Sequence, residues 1–291
     1  MGDSEEPGLG QDHSFNRKAK DTLAGFVGGA VQVLVGQPFD LVKVRMQTGQ
    51  YSNMYEAITQ TFRKEGPLAF YKGTSAPLFG VGACVSLQFY AFHEAKRQMA
   101  PWSQTFPGIY ACGAVAGFAN TVLTSPVEHV RILMQAQRSA KGQYSGALDA
   151  AKSILRQHGV AKLYRGAAIT SLREIQAYGT WFLTFEYLIH TQVKQGTKRE
   201  DVPAWKLMLC GALAGEALWI ASYPLDVIKS KVQSEPIIGS KFKGAIDAAR
   251  QTWATQGLRG FWTGITPTLL RALPASACTF ASVELTLRAL G

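Results

Sequence analysis

The sequence is short of charge and of histidine and has no unbroken apolar run, and each shortage excludes a class of protein. Charged residues make up 17% of its 291 residues against 47% hydrophobic, below the roughly 25% charge of ordinary soluble domains. That balance points to a membrane. Yet no stretch supplies the ~20 uninterrupted apolar residues of a simple span, and mean hydropathy is only +0.01. Any spans are therefore amphipathic. A polar face inside a bilayer has to meet another helix or a water-filled cavity, because hydrocarbon cannot satisfy polar groups.

The four cysteines, Cys84, Cys112, Cys210 and Cys278, lie far apart and form no CxxC pair, so neither a disulfide framework nor a metal site is expected. The five histidines are scattered, and no nucleophile elbow, phosphate loop or metal-ligand spacing occurs. No catalytic residue, no cofactor and no enzyme activity are expected on that inventory. The net charge of +10 is spread singly or in short groups such as Arg17 to Lys20, without the basic arm or stacking motif of a nucleic-acid binder. Residues 1–16 are polar and lean acidic, unlike a secretory signal or an Arg-rich transit peptide. Residues 1–18 are read as a flexible tail.

What the sequence does hold is a threefold repeat, the feature that decides a fold before any other. GQPFDLVKVRMQ from Gly36, TSPVEHVRILMQ from Thr124 and SYPLDVIKSKVQ from Ser222 share one pattern. Proline falls at Pro38, Pro126 and Pro224, an acid at Asp40, Glu128 and Asp226, a cation at Lys43, Arg131 and Lys229, and a glutamine at Gln47, Gln135 and Gln233. Thirteen residues before each proline stands the first of two glycines four apart: Gly25 and Gly29, Gly113 and Gly117, Gly211 and Gly215. Small residues at this spacing let membrane helices approach closely, whereas a soluble helix would lose roughly 1 kcal/mol per glycine. A second block follows in each copy: EGPLAFYKG ending at Gly73, HGVAKLYRG ending at Gly166 and QGLRGFWTG ending at Gly264. Between the blocks lies an amphipathic stretch too short to span, and after the second an apolar helix begins. The unit is span, surface helix, span, so the expectation is an all-α membrane protein of six transmembrane helices, with repeats over residues 19–103, 104–200 and 201–291.

These blocks resemble the mitochondrial carrier family from about Ala19 to Ala289, with Leu133, His158, Gln256 and Thr263 standing where the family usually has charges. The run GQPFDLVKVRMQT, Glu128, the Arg173-Glu174 pair, GVGACVSLQF from Gly80 and PAWKL from Pro203 resemble its carnitine, ornithine and amino-acid branch, and within it the fungal amino-acid carriers of the yeast type. The resemblance implies a multi-pass carrier of the mitochondrial inner membrane that alternates access between two gates and works as a monomer, with cardiolipin among its lipid partners.

Proline inside a helix removes a backbone hydrogen bond and bends it, so the three odd spans can converge at one end. By the family's pattern Asp40 then pairs with Arg131, Glu128 with Lys229 and Asp226 with Lys43 as a matrix gate, braced by Gln47, Gln135 and Gln233. A buried ion pair recovers its desolvation cost only partly, which lets such a ring open and close. The opposite, cytoplasmic gate is thin, with only Glu94 and Arg97 of its usual residues, since Ile189 and Leu287 take the other cation positions. The substrate-free protein is therefore expected to stand open toward the cytoplasm.

Seven residues past each second-block glycine stand Gly80, Arg173 and Arg271, positions that contact substrate in related carriers. Arginine holds a carboxylate by a bidentate fork, Glu174 attracts an ammonium, and the pairing suits a zwitterion. Tyr178 and Trp181 follow at helical spacing and suit a cationic group. Glu216, an acid within a span, is a candidate by the cost of placing it there. Ornithine-type carriers have a further acid where this chain has Cys84, and carnitine-type carriers a histidine where it has Gln37. A neutral or acidic amino acid is the leading substrate, and an exchanger of carnitine or basic amino acids the alternative. The rival of another class is a soluble helical-repeat scaffold, which also buries shared cores between repeats.

Overall fold

The computed structural model describes residues 9–137, 144–194, 202–236 and 239–290. The described residues are all-α. Six long helices carry the fold: α1 (Leu9–Gln47), α3 (Ser75–Gln98), α4 (Phe106–Ala136), α7 (Ala167–Lys194), α8 (Ala204–Ser234) and α10 (Ile265–Leu290). Between the members of each pair lies a short helix: α2 (Met54–Glu65), α5 (Ala147–His158), followed by the single turn α6 (Val160–Leu163), and α9 (Ala245–Gln256). Residues 1–8 of the expected tail lie outside the described residues. Residues 9–18 differ from that expectation, because they are helical and continue into α1. No proline stands between Leu9 and Pro38 to interrupt the helix.

By length and apolarity alone, Leu23–Gln47, Phe106–Ala136 and Trp205–Ser234 qualify to cross a membrane, and Pro67–Leu78 with Gly82–Gln98 qualifies as a span broken by a 47° bend. Among the described residues, α7 and α10 do not pass that test. Pro38, Pro126 and Pro224 all sit inside continuous helices. Proline at position i frees the carbonyl of residue i−4. In repeat 2 that carbonyl, Val122 O, accepts from Tyr164 Oη at 3.0 Å, so the second block's aromatic residue repairs the ladder the first block broke.

The surface helices dock by one rule. Ala57 of α2, Ala150 of α5 and Ala248 of α9 are fully buried against Val42 and Met46, Val130 and Met134, and Ile228 and Val232 of the preceding long helix. A methyl group there lets two helices approach closely. The second-block glycines also share one function. Gly73, Gly166 and Gly264 have φ of 79°, 76° and 83°, and a Cβ on them would crowd Arg131 O, the Gln233 side chain and Lys43 O of the neighbouring repeat. Only glycine takes that backbone without strain and leaves that space.

The odd helices α1, α4 and α8 touch one another, and α10–α1, α3–α4, α4–α7 and α7–α8 pack along their lengths; α1–α3 and α8–α10 meet only briefly. The paired glycines divide accordingly. Gly113 and Gly117 lie against the backbone of Tyr178 and Glu174 on α7, where a Cβ would collide. Gly25, Gly211 and Gly215 face open space instead, and in repeat 1 the tight contact falls on Gly28, against Val283 of α10. Among the described residues, the expected close packing is seen for the pair in repeat 2, and Gly211 and Gly215 of repeat 3 meet nothing within 4 Å.

Candidate functional site

Where α1, α4 and α8 converge, their acids and cations close into a ring. Asp40 accepts from Arg131 at 2.6 Å, Asp226 from Lys43 at 2.7 Å, and Glu128 from Lys229. These are the three pairs expected from the sequence. Asp40, Lys43, Asp226 and Lys229 are buried, so the pairs are shielded from the screening that weakens ion pairs at a wetted surface.

The braces differ from expectation in two of three positions. Gln47 Nε2 donates to Asp226 at 3.0 Å. Gln233 turns away and donates to Arg165 O at 3.2 Å and Thr170 Oγ1 at 3.3 Å. Gln135 Nε2 has no partner among the described residues. Of the three, Gln47 is the one that reaches a ring acid among the described residues. A bond outside the repeat pattern is made by Gln37, which accepts from Arg131 at 2.8 Å and donates to Lys72 O at 2.6 Å.

Above the ring lies a cavity of about 240 Å³ whose lining includes Arg173, Glu174, Tyr178 and Arg271. Both arginines reach down to ring acids. Arg271 Nη1 donates to Asp40 at 3.2 Å, and Arg173 Nη2 donates to Glu128 at 3.3 Å and to its own neighbour Glu174. Glu174 is fully buried by that contact. Tyr178 accepts at 3.4 Å from Asn120.

Five other site residues stand elsewhere. Gly80 does not line this cavity; it faces Val127 with room for a Cβ. Trp181 stacks on Phe185 at 5.3 Å and packs against the core of Phe92, Ile109 and Phe182, so the structure gives it a packing role in place of the expected cavity contact. Glu94 and Arg97 pair with each other along α3 at 2.5 Å and join no second helix among the described residues. Glu216 is half-buried, with Arg271 as the cation that acts on it.

Trp219 was missed as a site residue. Lys43 Nζ sits 4.3 Å from its ring centroid and the Arg271 guanidinium 5.3 Å from it, so one indole face-partner serves a ring cation and a cavity cation together. The signal was there: Trp219 precedes Tyr223 by four residues and Asp226 by seven, the spacing of one helical face.

The family model for mitochondrial carrier proteins matches residues 16–101, 103–196 and 200–291. The chain belongs to the mitochondrial carrier family. It is 46% identical over 96% of its length to the mitochondrial glycine transporter YMC1 of Saccharomyces cerevisiae, covering 94% of that protein. It is 42% identical to the glutamate/glycine mitochondrial carrier ymc1 of Schizosaccharomyces pombe, over 93% of this chain and 94% of the relative. To the mitochondrial basic amino acids transporter of Bos taurus it is 35% identical, over 92% and 91%. Members of this family are transporters of small molecules, and this carrier is a multi-pass protein of the mitochondrial inner membrane.

Proposed function

We propose that this carrier moves a small amino acid with an unmodified carboxylate across the inner membrane, without a chemical step and as a monomer, and that the substrate opens the ring by competing for its acids. One observation carries the reading: each cavity arginine is bound to a ring acid that also holds a ring cation, Asp40 by Arg271 and Arg131, and Glu128 by Arg173 and Lys229. A substrate carboxylate that takes the fork of Arg173 or Arg271 removes one donor from Asp40 or Glu128 and weakens the pair below. Binding energy is thereby spent on the conformational step, which is how a ligand shifts an equilibrium between two states.

The charge balance supports a carboxylate ligand. The cavity is lined by five cations, Lys43, Arg131, Arg173, Lys229 and Arg271, and four acids, Asp40, Glu128, Glu174 and Asp226. The Nε–H groups of Arg131, Arg173 and Arg271 have no partner among the described residues. Glu174, which lines the cavity beside Arg173, is the acid that receives the ammonium in this reading. A volume of about 240 Å³ suits a small amino acid better than an acylcarnitine, and relatives named for glycine and for glutamate and glycine agree with that.

The test is uptake into liposomes containing the purified carrier, with labelled glycine, glutamate, ornithine, carnitine and a dicarboxylate lacking an amine. Glycine or glutamate uptake is expected, and Arg173→Ala and Arg271→Ala each lower it at least tenfold, the loss of one charge-assisted pair. Unchanged uptake in both variants, or transport of the amine-free dicarboxylate alone, would sink the proposal.

A further inference from the structure

A second group of charges lies outside the passage, at the end of α8. Lys231 occupies the place that Arg45 holds in repeat 1, and both are buried. Arg45 meets a carboxylate, Glu65, at 2.6 and 3.0 Å. Among the described residues Lys231 meets only neutral oxygens, Thr252 Oγ1 at 2.9 Å and Gln256 Oε1 at 3.1 Å, because Gln256 stands where repeat 1 has Glu65. The charge that acts on it is Lys241, a second cation. Beside it opens a cavity of about 340 Å³ lined by Lys231, Lys241, Thr48, Thr252, Thr255 and Gln256. Glu235 also borders it; its carboxylate accepts the backbone N–H of Lys241 at 2.9 Å and is not among the charges that act on Lys231.

We propose that this cavity binds a small oxyanion, a phosphate or a simple carboxylate, between the ammonium groups of Lys231 and Lys241. Lysine has three N–H donors, and two of those on Lys231 go to Thr252 and Gln256, leaving one for a ligand. A buried cation without a counter-charge is costly. The diffusible anion supplies to repeat 3 what Glu65 supplies covalently to repeat 1, and the threonine hydroxyls lining the cavity complete its hydrogen bonds. The site is separate from the transport cavity, whose lining shares none of these residues.

The probe is inorganic phosphate, with acetate as the carboxylate arm, each replacing chloride at constant ionic strength while the full-length purified carrier is unfolded thermally in detergent. Phosphate or acetate at saturation is expected to raise the Tm of the unaltered protein by roughly 3 °C or more, and whichever gives the larger rise names the ligand class. Gln256→Glu places a carboxylate on Lys231 and is expected to raise Tm without added anion and to abolish the anion-dependent rise. Lys231→Gln abolishes the same rise by removing the cation. No rise in the unaltered protein, or an equal rise in all three proteins, would overturn the proposal, and neither outcome bears on which amino acid is transported.

Discussion

Repeats 1 and 2 solve the same packing problem with opposite chemistry. Beneath the ring in repeat 1, Arg45 is fully buried and forks onto Glu65, which also takes Lys72 Nζ at 2.5 Å, while Thr61 accepts from Arg45 at 2.8 Å. The same three-dimensional positions in repeat 2 hold Leu133 and Ile154, both buried, with His158 in place of the acid. The arginine of the second block, freed from an intra-repeat acid, reaches into repeat 3 instead: Arg165 donates to Glu235 O at 3.0 Å and Pro236 O at 2.6 Å. Arg45 also donates to Gln135 O at 3.3 Å and Gln137 O at 3.0 Å at the end of repeat 2. Charge in one repeat and apolar packing in the next serve one architecture, and the cations left over become ties between repeats.

The comparison breaks most visibly at Glu65. Glu65→Ala leaves Arg45 buried without its counter-charge, and removing one partner of a buried pair costs about 3–5 kcal/mol. The expected result is the largest Tm fall of any single change in these layers, on the order of 10 °C in a thermal scan. Gln256→Ala, the matching change in repeat 3, removes a neutral acceptor and is expected to cost about 1 kcal/mol. Equal losses at the two positions would mean that Glu65 acts as packing and the charged layer of repeat 1 carries no special weight.

In repeat 2 the sensitive group is apolar. Leu133→Ala opens a cavity at a position 8% exposed beneath the ring, with an expected loss of about 2–3 kcal/mol, at the lower end of the range for such truncations. Leu133→Met, which keeps the volume, is expected to cost under about 1.5 kcal/mol. If the methionine variant lost as much as alanine, shape rather than burial would govern the layer.

The architecture was legible because each element is written three times: proline, acid, cation and glutamine recur at fixed spacing, and the family resemblance supplied which acid meets which cation once the helices converge. Side-chain destinations were less legible, for reasons the structure supplies. Gln135 and Gln233 share the braces' spacing, but Gln233 takes Arg165 O and Thr170 Oγ1 as its acceptors and Gln135 Nε2 takes none among the described residues. Gly211 and Gly215 share the close-packing motif, but among the described residues they meet nothing within 4 Å. Trp181 follows Glu174 by seven residues, yet it packs with Phe182 and Phe185 toward the α3–α4 core. A local motif states what a residue can do, and the neighbouring helix decides whether it does.

The smallest effect expected from this contrast is an acid limb that belongs to repeat 1. Burial pushes the Glu65 carboxyl up, but hydrogen bonds from Arg45 and Lys72 and their charges outweigh it and hold the group below its ordinary 4.5. A carboxyl held low in the folded state binds its proton more weakly than in the unfolded chain. Its contribution to stability is therefore complete above about 4.5 and is lost as pH falls through the lower, folded value. Tm measured from pH 7 down to pH 3 should fall less steeply in Glu65→Gln than in the unaltered carrier, from a lower starting point. Glu56 and Asp247 are also held low, Glu56 by the Ser52 hydroxyl and Asp247 by the Lys243 backbone N–H. Both are solvated, so Glu56→Gln and Asp247→Asn should leave the limb unchanged. An acid limb that survives in Glu65→Gln would place the titrating group in the ring itself and erase the distinction between the repeats.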